Sequence, residues 1–129
     1  MKHSFLFAVA LVLALLAPLA VEGAESGTML AHNVFFTLKE KTPAAQEKLV
    51  DACHKYLKKQ KGVVTFFAGK REAGLTREVN DLDFDVSLHI VFRTAADQEI
   101  YQKDAQHLKF IEENADTWAK VRVFDSLVR

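Results

Sequence analysis

The 129-residue chain carries 17 Lys and Arg against 17 Asp and Glu, a formal net charge of zero, and half of its residues are apolar. That balance lacks the clustered basic excess that nucleic acid or an anionic membrane surface requires, so neither is expected as a partner. One cysteine excludes an internal disulfide framework and a cysteine-based zinc cluster, so the fold has to rest on its core.

The N-terminus has the order of a signal peptide: Lys2 supplies a positive start, Phe5 to Ala17 an apolar run, and Pro18 ends that run ahead of small residues around Gly23. Cleavage is expected after Gly23, giving a leader over 1–23, a short linker over 24–28 and one domain over 29–129. An uncleaved anchor would need roughly 20 apolar residues, and Pro18 interrupts the run early. The only cysteine, Cys53, lies far inside the domain, where a lipid anchor has no use for it. Export to the periplasm or the medium is therefore expected, with no stable membrane anchor after cleavage.

Met29 to Lys39 alternates, with Leu30, His32, Val34, Phe36 and Leu38 on one face, which predicts a strand. Thr42-Pro43 then reads as an N-cap followed by proline at the first helical position, where its missing N–H costs nothing. Ala45, Leu49, Ala52, Cys53, Tyr56 and Leu57 recur at helical spacing behind it, and Gly62 can take the left-handed turn that ends the segment. The lysines at 55, 58, 59 and 61 fit a solvated helix face and the negative end of its dipole. A second strand is expected over Val63 to Ala68. Gly69 to Asp83 reads as a long exposed connection and the most mobile loop. Phe84, Val86, Leu88, Ile90 and Phe92 give the clearest period of two in the chain. Thr94 caps a further helical region that breaks at Asp104, a second cap ahead of Leu108 and Ile111. A last strand is expected over Val121 to Leu127, with Trp118 plugging the core or an interface.

The order βαββαβ is the ferredoxin-like arrangement, an α+β fold with a four-stranded antiparallel sheet and helices on one face. Phe35, Val64, Phe66 and Val91 have the opposite parity to the main apolar set, so the second face is apolar enough to need a cover, and a homodimer is the economical one.

His32-Asn33-Val34-Phe35-Phe36-Thr37-Leu38-Lys39, Gly62-Val63-Val64, Asp85 to Thr94 and the closing Val121-Arg122-Val123-Phe124-Asp125 resemble the Dabb family, the stress-responsive dimeric α/β-barrel domain. The segment Tyr101 to His107 is similar to that family's Tyr-x-x-His-Pro-x-His, with Asp104-Ala105 standing where the family has His-Pro. The resemblance implies a homodimer built as a barrel, with a cleft in each subunit between sheet and helices. It also implies acid/base roles for Tyr101 and His107, which match the residues a plant polyketide-cyclase branch uses.

His107 as a base could take a proton while the Tyr101 phenol donates to a developing oxyanion. His32, Val34, Phe36, Val86 and Leu88 are expected to line the same cleft. The blander alternative makes His107 a structural histidine near a helix start, His32 a partner of a local backbone group and Asp104 a simple cap. Cys53 reads as a buried, inert thiol, and His89 and Asp85, on one strand face, could meet across a dimer. The histidines lack metal-ligand spacing, so no metal is expected. Two functions follow: a non-catalytic homodimer that binds a small apolar or aromatic molecule or has a protective role, or a cyclase- or lyase-type enzyme that needs no cofactor.

Overall fold

The computed structural model describes residues 27–129. The expected leader and most of the linker lie outside the described residues. Strand β1, Met29–Leu38, buries His32, Val34, Phe36 and Leu38 on one side, as its alternation requires. Helix α1, Pro43–Tyr56, starts where Thr42 Oγ1 accepts from the Ala45 amide at 3.2 Å with proline in its first turn. It presents Leu49 and Cys53 to the sheet, and burial pushes the Cys53 thiol up to about 12, which keeps it protonated and inert. Gly62 then turns at φ +82°, and a Cβ there would come within 2.4 Å of the Asp97 side chain, so both conformation and space demand glycine.

Strand β2, Val63–Lys70, and strand β3, Val86–Phe92, follow. Helix α2, Ala95–Lys103, is capped by Thr94, whose hydroxyl accepts from the Asp97 amide. Helix α3, Ala105–Asn114, begins at Asp104, which is extended at φ −66°, ψ 139°. The Asp104 N–H closes α2 on the Tyr101 carbonyl at 3.1 Å, and its carboxylate accepts from the Gln106 amide at 2.7 Å. One residue thus ends one helix and starts the next. A 3₁₀ turn, Ala115–Thr117, leads into strand β4, Trp118–Val128.

The sheet is antiparallel throughout in the order β2-β3-β1-β4, with the helices on one face. Val34, Phe36, Leu88, Ile90 and Phe92 meet Leu49, Leu57 and Phe110 in the core, each contributing roughly 1.5–3 kcal/mol on the usual scale for burial of a large apolar side chain. Among the described residues no helix is long and apolar enough to cross a membrane.

Several boundaries depart from the sequence expectation for identifiable reasons. β4 begins at Trp118 rather than Val121 because it pairs along the whole of β1, from Leu38 opposite Trp118 to Met29 opposite Val128. Trp118 still plugs the core edge, 5.0 Å from the Phe36 ring and stacked on Phe110. β2 extends to Lys70, so Gly69 belongs to the sheet. The connection that follows is pinned at its far end: Asp81 pairs with Arg122, Asp83 pairs with Lys120, and Thr37 donates to the Asp83 carbonyl. Phe66 does not share the second face. A register irregularity between Val63 and Thr65 sets it opposite Ile90 on the helix side, 5.1 Å from the His54 ring, and puts Phe67 on the open face instead. Asp85 also departs from the pairing proposed with His89, since it is buried and its carboxylate accepts from the Leu38 amide at 2.8 Å.

Candidate functional site

The cleft lies between the β1 and β4 side of the sheet and helices α2 and α3, and encloses about 300 Å³. The break at Asp104 builds it, because ending α2 at Lys103, two residues past Tyr101, and restarting at Ala105 brings Tyr101 and His107 ring to ring at 4.4 Å. His32 enters from β1, with its ring 5.9 Å from that of Tyr101. Of the residues expected there, His32, Val34, Phe36, Leu88, Tyr101 and His107 line the cleft. Val86 does not. It is fully buried near the other end of β3, opposite Phe36 and Lys70, so the right parity put it on the right face but too far along the strand. Phe110, Ile111, Trp118, Val121 and Val123 make the remaining wall apolar.

The hydrogen bonds set the proton positions. His107 Nδ1 lies 3.2 Å from the Gln102 carbonyl, which can only accept, so Nδ1 carries the proton and Nε2 holds a lone pair. Burial pulls His107 below the ordinary histidine range, opposed in part by that same bond. Burial also pushes the Tyr101 phenol well above its usual range, so the hydroxyl stays a donor. It finds no hydrogen-bond partner among the described residues. His32 Nδ1 sits 2.6 Å from an Asp125 carboxylate oxygen, which fixes the ring and again leaves Nε2 as the other nitrogen.

Besides that apolar wall, sequence reasoning missed Asp125, the partner of His32. Alternation from Val121 and Val123 places it on the helix face, but its role depends on the β1–β4 register that sets it opposite His32, a pairing across 93 positions of chain. Asp104 is a cap, as expected. Among the described residues no group of three or more His, Cys, Asp or Glu is placed to hold a metal ion. A larger cavity of about 440 Å³ opens between the β1–α1 turn and the end of α3. Its polar lining, including Lys39, Lys48 and Asp116, is mostly at the surface, and no histidine or tyrosine reaches it. The smaller cleft is the candidate because buried groups with defined proton positions converge there.

A four-stranded antiparallel sheet with helices on one face, reached through βαββαβ order, defines a ferredoxin-like α+β domain. Residues 30–128 match the model of the stress responsive A/B barrel domain, Dabb, and the chain belongs to that family. A Dabb family protein with a ferredoxin-like fold from Mesorhizobium loti superposes with a TM-score of 0.65 at 20% identity, over 79% of this chain and 98% of its own. A dimeric ferredoxin-like protein of unknown function from Thermobifida fusca gives 0.67 at 14% identity, over 80% and 93%. A hydroxynitrile lyase from Passiflora edulis gives 0.64 at 16% identity, over 78% and 94%. At these identities the likeness is one of fold. The comparison with curated proteins found no match.

Proposed function

We propose that this protein is an exported homodimer whose cleft binds a small, mostly apolar molecule carrying one oxygen acceptor. The observation behind this reading is the Tyr101 hydroxyl, a protonated donor without a partner, set in a cleft whose other walls are largely hydrocarbon and aromatic. That hydroxyl opens on the cleft instead of being sealed in the core, so an acceptor on the ligand takes the place of water there. Dimerisation is supported by the Thermobifida fusca neighbour, a dimeric protein of the same fold, and by the aromatic open face of the sheet. Export rests on the order of residues 1–23, and the N-terminal mass of the protein recovered outside the cytoplasm tests it; a chain retaining Met1 would remove it.

A second reading is favoured by the His107 tautomer. With Nε2 unprotonated and its ring 4.4 Å from that of Tyr101, His107 can take a proton from the carbon next to a carbonyl. The C–H electron pair moves into the new C=C bond, the carbonyl electrons move to oxygen, and Tyr101 donates its hydrogen bond to that oxyanion. His32, held by Asp125, stands beside Tyr101 as a further polar contact. That a hydroxynitrile lyase shares the fold supports a lyase-type reading.

Thermal unfolding against aromatic and fatty carbonyl compounds tests both. A ligand at a hundred times its dissociation constant adds about 2.7 kcal/mol of stability, which a melting curve resolves. Tyr101→Phe is expected to fold as well as the parent and to lose most of that shift. A panel without any shift overturns cleft binding. Turnover of a binder that His107→Ala abolishes would establish the second reading, and turnover left intact by that change would overturn it.

A further inference from the structure

We infer that the open face of the sheet joins two copies of this chain through a histidine that loosens the dimer when it is protonated, making association pH-dependent through His89. The inference rests on the homodimer reading above. His89 lies on β3, a central strand, opposite Asn33 of β1 on one side and Phe67 of β2 on the other. Its Nδ1 is 2.8 Å from Asn33 Oδ1, and Asn33 Nδ2 donates to the Phe124 carbonyl of β4 at 3.4 Å. That relay orients the amide with its oxygen toward the ring, so His89 donates through Nδ1 and Nε2 holds a lone pair. Phe35 stands edge-on to the imidazole at 5.7 Å and also contacts Phe84 and Phe124. His89 is thus a neutral ring at the middle of an aromatic surface.

A second copy is the occupant that fits this surface. Phe67 and Phe124 are 64% and 52% exposed. Aromatic exposure on that scale marks a surface whose contacts are incomplete in one copy. Covering it removes His89 from the water that would solvate its charged form.

The charged groups on the face do not rescue that charge. Lys120 and Arg122 lie at one end of the patch, already paired with Asp83 and Asp81. Those two carboxylates are held below the ordinary range by these bonds, so they stay ionised through mildly acidic pH. Arg93 follows the other end of β3 and is exposed. β1 and β2 offer Asn33, Phe35, Thr65 and Phe67, none of them charged, and the helices lie on the opposite side. A second copy brings the same set. Burial already lowers His89 in the single chain. Protons therefore bind the separated chains more readily than the dimer, and acid drives dissociation.

Sedimentation velocity at pH 7.5 and pH 5.0 tests this. The dissociation constant is expected to rise at least tenfold on acidification, since each of the two histidines can contribute up to about tenfold per pH unit. His89→Asn, which retains a donor near Nδ1, is expected to remove that rise. A dimer indifferent to pH, or one whose pH response survives in His89→Asn, overturns the switch and leaves the homodimer standing. A monomer at pH 7.5 overturns the homodimer reading and the switch with it. Should His89→Asn fail to fold, ring resonances of the parent decide: His89 is expected to titrate at lower pH in concentrated than in dilute protein, and equal midpoints overturn the inference.

Discussion

The two faces of the sheet come from the same alternating strands but are finished differently. On the helix side the two histidines are completed within the chain, His32 by Asp125 and His107 by the Gln102 carbonyl, and the Tyr101 hydroxyl is left to the cleft. On the open side Phe67 and Phe124 stay exposed. A closed face of this kind fixes proton positions and can bind or react with a small molecule, whereas an open one waits for a second surface.

Substitutions on the two faces should separate accordingly. Phe92→Ala, on the helix side and fully buried, is expected to cost about 3–5 kcal/mol by denaturant unfolding, the range for emptying an aromatic core position. An effect below about 1 kcal/mol would mean that the core repacks around the hole. Phe35→Asp, at the hub of the open-face aromatics, is expected to weaken the dimer by at least about 2 kcal/mol. Its monomer should keep the parent's far-ultraviolet spectrum. Collapse of that spectrum would show that the open face also holds the single chain together.

Asp104→Ala removes the α3 cap and is expected to cost about 1 kcal/mol of stability. Because the same residue sets the angle between Tyr101 and His107, ligand affinity should fall further than stability does. Equal losses would argue that the break only caps.

The smallest effect is in pH. His107 is lowered on folding, so the unfolded chain takes up its proton first. Stability is therefore full above the unfolded value near 6.5 and declines as pH falls below it toward the folded value. His107→Gln should flatten that part of the profile, and an unchanged slope would assign the loss to other groups. Asp81 and Asp83 act lower, since their depressed values give stability that is present above the unfolded carboxylate range and is lost as pH falls through the folded one. Replacing both with Asn should leave the profile near pH 6 unchanged.

Much of the architecture is legible because it is local. Alternation marks β1 and β3, Thr42-Pro43, Thr94 and Asp104 mark the helix starts, and Gly62 marks the turn into β2. Parity alone places His32, Val34, Phe36 and Leu88 on the face that becomes the cleft. It does not say how far along a strand the cleft extends, which is why parity expects Val86 there and the fold buries it elsewhere.

What local pattern leaves open is register. The irregularity between Val63 and Thr65 turns Phe66 inward and Phe67 outward, because a one-residue shift exchanges the faces of every later position in a strand. The long β1–β4 pairing carries β4 back to Trp118 and sets Asp125 against His32. Sequence by itself determined which segments are helices and strands and which face each strand residue favours, since those follow from backbone periodicity and capping within a few residues. Only the tertiary structure decided which distant polar groups complete one another, because a hydrogen bond between strands 93 positions apart depends on packing that no local segment contains.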